Sequence, residues 1–376
     1  MGGMMREEEI KIKLNISRDN NLQFLRLVCA LMVWVSHSFA ICYQPEPIVG
    51  RGYNVGSYGS LGVFGFFTIS GYLITLSYLR LDSLKHFFWN RFLRIAPALW
   101  MAVVLGVLLA YVATPVGDRF SDFLAHPDVW HYIIGNGTLL NINYSAIRNG
   151  FYLNRFDVIN GPLWTLPLEV RMYIFVSVLG VLSILENKSF SLLLIVLSFL
   201  GADCFYNSIL YKIVEPSSHQ AVYPLLYFLS GMFFALRKIH LKKSWFILSL
   251  AVAVFAVIRP INLLAQVICT AYVFYYVSFR GNILRSVFNK IGDYSYGIYV
   301  YAFPIQQFSY HMLKSYFNIS ADPVGLMAVS GVMILGVSCL SWHYIEEPAL
   351  KLKNWTGRRV NQPAPATKKT QQKMYT

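Results

Sequence analysis

Arg26 and His37 are the residues whose types and spacing point most directly to chemistry. They lie in an apolar segment, Leu22 to Tyr43, that is long enough to cross a bilayer as a helix. Their separation places the side chains about 16 Å apart along a helix axis and within about 20° of one face. Such a pair can be structural, with the Arg reaching the membrane surface and the His bonded to another helix. Alternatively, it can mark a reaction site, because ionisable groups at membrane depth are costly unless they face a cavity or a partner.

A second candidate pair is Arg91 and Arg94, in the basic and aromatic segment 80–95. Residues three apart share a helix face, so both guanidinium groups could bind one polyphosphate. Anchoring to anionic lipid is the alternative, since basic and aromatic residues together favour the membrane surface. Both interpretations predict an interfacial helix over this segment.

Glu169 and Arg171 are opposite charges near the start of another apolar segment. Side chains two residues apart on a helix point to different sides. Glu169 and Arg171 are therefore each expected to meet a group on another helix. That contact can be a structural ion pair or part of a reaction site. Trp164 and Tyr173 flank Glu169, and Tyr299 lies in a second segment rich in hydroxyl-bearing rings.

The composition is that of a membrane protein. Of the 376 residues, 56% are hydrophobic and only 13% are charged, against about 25% charged in soluble domains. Runs of apolar residues predict ten transmembrane helices. These predicted spans are 22–43, 59–79, 96–114, 164–185, 189–208, 222–237, 244–258, 261–279, 295–317 and 324–345.

The distribution of basic residues predicts the topology. An even number of spans places both termini on one side, and that side carries 23 of the 32 Lys and Arg residues, against 7 on the other side and 2 within spans. The positive-inside rule therefore predicts cytoplasmic termini. The net charge of +14 is mostly explained in this way, so no nucleic-acid partner is expected. The predicted fold is an all-α polytopic membrane protein of about ten transmembrane helices, with an interfacial cytoplasmic helix and one long extracytoplasmic loop, 115–163.

Three segments are predicted along the chain. Residues 1–21 form a cytoplasmic N-terminal segment, 22–350 the transmembrane domain, and 351–376 a disordered cytoplasmic tail without a core-forming pattern. The five cysteines show no metal-ligand spacing, and most lie in apolar runs, where Cys acts as a small hydrophobe. We therefore expect no metal site and no permanently bound cofactor.

Six motifs make the chain resemble the acyltransferase-3 family of integral-membrane O-acyltransferases. They occur in the family's order and cover nearly the whole membrane part. The motifs are Arg26 with His37, FFTISGYLI at 66–74, FWNRFLRIAP at 88–97, GPLWTLPLEVRMY at 161–173, SYGIYVYAFP at 295–304 and HYIEEPALK at 343–351. Two positions depart from the family pattern: Ala302 stands where many members carry His, and Glu347 stands where many carry Arg. The resemblance is to the stand-alone form, without a second, soluble domain.

The resemblance implies that an acyl group, most often acetyl, passes from cytoplasmic acyl-CoA to a hydroxyl of a bacterial surface polysaccharide or lipid-linked glycan. His37 would then be the general base, with Glu169 as its orienting partner and Arg26 near the thioester or pyrophosphate. Both direct attack by the sugar and a transient acyl-His37 are compatible with these residues.

The remaining roles follow from the same resemblance. Arg91 and Arg94 would bind acyl-CoA, and Trp164, Tyr173 and Tyr299 would contact the acceptor. The partners expected are acyl-CoA, the glycan and membrane lipids, in the bacterial inner membrane. A transporter or flippase of a lipid-linked glycan is the competing interpretation, although the chain lacks the internal repeats common in secondary transporters.

Overall fold

The computed structural model describes residues 20–48, 56–80, 83–114, 119–139, 146–147, 150–154, 156–187, 189, 195–197, 222–237, 239–259, 261–280 and 292–354. In these ranges the chain is helical, with turns and irregular connections and no strand beyond an isolated bridge between Ala146 and Val158. The predicted all-α class is therefore confirmed for the described part. Most of the predicted span 189–208, and the terminal segments 1–19 and 355–376, lie outside it.

The α-helices of the described ranges are α1 Leu22–Ile41, α2 Tyr58–Arg80, α3 Leu84–Ala113, α4 Phe120–Ala125, α5 Pro127–Gly137, α6 Thr165–Val181, α7 Val222–Arg237, α8 Lys243–Ile258, α9 Leu263–Phe279, α10 Ser295–Phe317, α11 Pro323–Ser341 and α12 Glu347–Lys351. A 3₁₀ turn, Gly161–Trp164, precedes α6, and a π-helical turn, Trp342–Glu346, joins α11 to α12. A 3₁₀ turn, Leu352–Asn354, follows α12.

Five helical segments of the described part are long and apolar enough to cross a membrane: Leu22–Ile41, Tyr58–Arg80, Leu84–Ala113, Gly161–Val181 and Pro323–Lys351. The helices α7, α8 and α9 are also apolar but have only 16 or 17 residues. The helix α10 has 23 residues and coincides with the predicted span 295–317. The chain is a membrane protein.

The segment predicted as an interfacial helix is continuous with the third predicted span. A single helix of 30 residues, α3, contains Arg91, Arg94 and all of 96–113. No glycine or proline interrupts its first three turns, and Pro97 lies inside the helix. A proline removes one backbone donor, which a membrane helix tolerates when neighbouring groups compensate. The prediction of a separate interfacial helix is therefore wrong about where that helix ends, because it continues into the third predicted span.

The helix α1 has several neighbours in the described bundle. It packs against α2, α9, α10 and α11. Its residues Cys29, Ala30 and Val33 are buried, whereas α3 and α11 expose apolar side chains such as Val112 and Val332. This distribution is expected when lipid covers the outer helices, and it places Arg26 and His37 within the protein rather than on its periphery.

Glycines allow α2 and α7 to approach closely. A Cβ added at Gly71 of α2 would overlap the backbone carbonyl of Phe228, and one added at Gly231 of α7 would overlap that of Thr68. Small residues of this kind let backbones come together where the apolar solvent supplies little driving force. Gly71 belongs to the motif at 66–74, so that motif is partly a packing element.

The long predicted outer connection packs down onto the helices, as expected for the described parts of it. Tyr132 of α5 is fully buried, and α5 lies against α3. The Asn160 amide donates to the Val300 carbonyl at 2.9 Å. Gln307 and Asn154 also hydrogen-bond each other at 2.8 Å. The segment before α6 is therefore fixed to α10.

We expect Gly71→Ala to destabilise the protein, because the added methyl group meets backbone that cannot move aside independently. Overpacking of this kind costs about 1–3 kcal/mol. Thermal unfolding of purified protein in detergent should therefore show a melting temperature lowered by several degrees. The matched control is Gly336→Ala in α11, where an added Cβ meets nothing within 4 Å. Equal melting temperatures for the two variants would contradict this account of α2–α7 packing.

Candidate active site

A shared ion pair joins the start of α1, the first half of α3 and the segment before α10. The Asp293 Oδ2 atom lies 2.5 Å from Arg26 Nη1 and 2.6 Å from Arg94 Nη2. The other carboxylate oxygen, Oδ1, accepts hydrogen bonds from the backbone N–H and the hydroxyl of Ser295. Protein donors therefore satisfy both oxygens of a side chain that is only 8% exposed.

Asp293 is held in its ionised form. Burial raises the pKa of the Asp293 carboxyl, but the charges of Arg26 and Arg94 and the hydrogen bond from Ser295 outweigh it and hold that pKa well below its usual range. A guanidinium group has five N–H donors, and Asp293 uses few of them. The Arg26 and Arg94 side chains remain 21% and 16% exposed, so neither is completely sealed from solvent.

Arg91 points to a different set of partners from Arg94. Its Nη2 donates to the Ser77 hydroxyl at 2.9 Å, and its guanidinium carbon lies 5.8 and 6.0 Å from the ring centroids of Phe87 and Tyr173. Its Nε is buried without a hydrogen-bond partner among the described residues. The structure thus pairs Arg94 with Arg26 more directly than with Arg91.

A fourth cation strengthens the positive field here. Lys353, in the 3₁₀ turn after α12, is half-buried, and this turn packs against α3. Burial, and then the charges of Arg94, Arg91 and Arg26, lowers the pKa of Lys353 to about 8. The three arginines thus add to the effect of burial on this ammonium group. We call Arg26, Arg91, Arg94 and Lys353 the cationic cluster, and its field favours an anion.

His37 lies on α1, three turns beyond Arg26. The edge of its ring contacts Phe303 of α10, with the ring centroids 4.9 Å apart. Within the described ranges no hydrogen bond reaches the imidazole, and the residue is only partly buried. The imidazole therefore has no hydrogen-bond partner in the part of the chain that the structure describes.

Glu169 bonds Tyr173 and Ser70, whereas the predicted partner was His37. Its Oε1 accepts hydrogen bonds from the Tyr173 hydroxyl at 2.5 Å and from the Ser70 hydroxyl at 3.4 Å. In the part of the chain that the structure describes, no hydrogen bond joins Glu169 to His37. Ser70 belongs to the motif at 66–74, so Glu169 connects α6 to α2. A role in orienting His37 stays a prediction.

The three aromatic residues predicted for the acceptor differ in exposure. Tyr299 is buried, and its hydroxyl bonds the Thr165 hydroxyl at 2.7 Å and the Pro162 carbonyl at 3.1 Å. Tyr173 is also buried and bonded to Glu169. Trp164 ends the 3₁₀ turn before α6 and is half-buried. The two tyrosine hydroxyls therefore already have protein partners, whereas the Trp164 ring is partly accessible.

Sequence reasoning missed Asp293, although the sequence contained a signal. Asp293 is the only acidic residue between Glu215 and Asp322, and it follows a basic segment on the predicted cytoplasmic side. A lone carboxylate directly before a predicted span has a restricted choice of charged partners. Ser70 was missed as well, because a serine gives no indication of its partner on a distant helix.

The described residues contain no group of three or more His, Cys, Asp and Glu side chains suited to hold a metal ion. The chemistry available to the observed side chains is anion binding and proton transfer. Along α1, the cationic cluster and His37 are about 16 Å apart. Their partners follow in the same order along the chain at α10. Asp293, the partner of Arg26, lies just before the helix, and Phe303, whose ring contacts His37, lies within it.

Comparisons with known proteins agree with this arrangement. A family profile described as an acyltransferase domain matches residues 19–343. An O-acetyl transferase of Shigella phage Sf6 is 32% identical over 355 residues, which cover 88% of this chain and 96% of the relative. Nodulation protein 10 of Rhizobium leguminosarum bv. viciae is 27% identical over 359 residues, which cover 89% and 94%. No solved structure matches the chain.

The family match includes α1 with Arg26 and His37, α3 with Arg91 and Arg94, and Asp293. It extends over most of the chain, and the phage relative is similar over nearly its whole length. The chain therefore belongs to the acyltransferase-3 family, and it is an enzyme that acts as an O-acyltransferase.

Proposed function

We propose that the enzyme transfers an acyl group from cytoplasmic acyl-CoA to a hydroxyl of a cell-surface polysaccharide or lipid-linked glycan, on the opposite side of the bacterial inner membrane. The name of the phage relative supports acetyl as the group transferred. The excess of basic residues on one side of the predicted spans supports cytoplasmic termini. This topology places the cationic cluster on the donor side.

The observation that carries the proposal is the order of groups along α1. Arg26 belongs to the cationic cluster at the start of the helix, and His37 lies about 16 Å further along the same face. CoA carries its phosphates and its thioester at opposite ends of an extended pantetheine arm. One donor molecule can therefore contact the cluster with its phosphates while its acyl group lies near His37. A short acyl donor such as acetyl phosphate cannot reach both.

His37 is the proposed general base. The acceptor oxygen attacks the thioester carbonyl carbon while the imidazole accepts the hydroxyl proton, and the carbon–sulfur bond then breaks. The acyl group stays on the acceptor oxygen, and the thiolate takes up a proton and leaves as CoA. General-base catalysis of this type contributes about 10²- to 10⁴-fold in rate.

Glu169 and the aromatic residues are proposed to shape the acceptor side. Trp164 offers a partly accessible ring, which suits stacking against a sugar. Tyr173 and Tyr299 already bond protein groups, so we propose that their rings line the path while their hydroxyls hold Glu169 and the start of α6. Glu169 would act on His37 through a bound acceptor rather than through a direct bond.

Replacing His37, the proposed base, should abolish the activity and leave the amount of enzyme in the membrane unchanged. We expect His37→Ala to lower O-acylation of the surface glycan about 100-fold or more. Ester content is measured as a mass shift of the purified glycan and normalised to the amount of enzyme in the membrane. The control is His240→Ala, whose side chain is exposed. A His37→Ala variant with normal activity and normal membrane level would exclude the imidazole as base.

Donor binding tests the cationic cluster. A charge-assisted hydrogen bond contributes about 1.5–3 kcal/mol, so Arg91→Ala and Arg94→Ala should each weaken acetyl-CoA binding about ten- to a hundredfold. Lysine at either position should restore binding only in part, because it keeps the charge and loses the planar fork. The dissociation constant is measured by titration calorimetry on purified protein in detergent.

Arg259→Ala, in the exposed connection between α8 and α9, is the matched control for donor binding. A lipid-anchoring role for Arg91 and Arg94 predicts unchanged dissociation constants and reduced membrane insertion. A transporter or flippase predicts no saturable binding of acetyl-CoA by any variant. Undetectable binding by the wild type at millimolar acetyl-CoA would count against the proposed donor.

A further inference from the structure

Asp293 lies where it can control the geometry of two arginines at once. Its Oδ2 atom bonds Arg26 of α1 and Arg94 of α3, and its Oδ1 atom bonds Ser295 at the start of α10. The three bonded residues come from parts of the chain that are far apart in sequence. A single carboxylate thus sets both the separation and the relative orientation of the two guanidinium groups.

Arg26 and Arg94 each have N–H groups that do not bond Asp293. Each is bonded to Asp293 through one terminal nitrogen, Nη1 in Arg26 and Nη2 in Arg94. The guanidinium group is planar, so fixing one N–H group also restricts the directions of the others. Both side chains are partly exposed, whereas Asp293 is nearly buried. The remaining N–H groups are therefore restricted in direction, on two side chains that are not sealed from solvent.

The carboxylates of this region do not balance its cations. Arg26, Arg91, Arg94 and Lys353 carry four positive charges, whereas three carboxylates, Asp293, Glu169 and Glu346, act on the arginines. The Arg94 guanidinium also lies 5.7 Å from the ring centroid of Tyr296, which restricts its movement from another side. Asp293 therefore orients the arginines and leaves an attraction for a further anion.

We propose that Asp293 is a positioning residue that directs Arg26 and Arg94 at one anionic group of the donor, a phosphate of acyl-CoA. This proposal rests on the proposed function, because it takes acyl-CoA as the donor. Asp293 does not touch the donor itself. Its effect is to order the two arginines before the donor binds, which reduces the conformational entropy lost on binding.

The experiment uses inverted inner-membrane vesicles from bacteria that express the enzyme and whose surface glycan gains ester in an enzyme-dependent manner; these vesicles expose the cytoplasmic side. Acetyl transfer to the glycan is measured against the concentration of two donors, acetyl-CoA and S-acetylpantetheine, which lacks the phosphates. The enzymes compared are the wild type, Asp293→Asn, Asp293→Glu and the control Asp122→Asn, whose side chain is exposed in α4.

For Asp293→Asn we expect the KM for acetyl-CoA to rise about tenfold or more, which is the effect of one arginine losing its charge-assisted contact with the phosphate once its guanidinium group is no longer held in place. At saturating acetyl-CoA, kcat should stay within about twofold of the wild type, since the bound phosphate then supplies the missing anion. The KM for S-acetylpantetheine should not change. Asp293→Glu should give an intermediate KM, and Asp122→Asn should match the wild type.

A purely structural role for Asp293 would give a different pattern. Loss of folded enzyme lowers kcat for both donors equally and leaves both KM values unchanged, and that result would overturn the proposal. A lower KM for acetyl-CoA in Asp293→Asn would also overturn it, because the carboxylate would then compete with the donor. If Asp293→Asn does not accumulate, Asp293→Glu decides alone, and a wild-type KM for acetyl-CoA refutes the positioning role.

Failure of the proposed function looks different from failure of this inference. If the wild type shows no saturable use of acetyl-CoA, or uses S-acetylpantetheine at the same KM, the phosphates are not recognised and the proposed donor is wrong. If the wild type distinguishes the two donors and Asp293→Asn distinguishes them equally well, only the inference about Asp293 fails.

Discussion

Two arginines and one aspartate share a nearly buried site in a protein whose outer helices are covered by apolar side chains. Removing an ion from water is expensive, and removing one partner of a buried ion pair costs about 3–5 kcal/mol because the other charge is left uncompensated. Arg26, Arg94 and Asp293 therefore depend on one another. Since they belong to α1, α3 and the segment before α10, the ion pair connects these three parts of the chain.

The helix α10 is held at several levels by polar bonds. Near its start, Tyr296 donates to the Ile95 carbonyl of α3 at 2.9 Å. In its second half, the Gln306 amide donates to the Ser38 hydroxyl and to the Trp34 carbonyl of α1. Gln307 bonds the segment before α6. Polar side chains within a membrane helix are costly unless bonded, so these contacts explain how α10 can be more polar than its neighbours.

The sequence alone predicted much of this arrangement. Apolar periodicity gave the helical class and the bounds of α10, and the helix repeat placed Arg26 and His37 on one face. The partners of charged groups were harder to predict. Asp293 lies 267 residues from Arg26 and 199 from Arg94, and no local pattern connects residues so far apart.

The partner of Glu169 could not be predicted from the sequence either. Its sequence neighbours indicated that it would meet another helix, but not that the partner would be a serine of α2. The boundary of α3 was missed for a different reason. The change from basic and aromatic to apolar residues marks where a helix leaves the membrane surface, and it does not require the backbone to break.

The polar bonds at the start and at the middle of α10 decide how the protein responds to the membrane around it. Its start is tied to α1 and α3 through charge, and its later turns are tied to α1 and to the segment before α6 through amides. The spacing between the cationic cluster and His37 is therefore set by bonds within the protein and not by the lipid. Bilayers of different thickness change how the outer helices tilt, but they leave the distance between the cationic cluster and His37 unchanged.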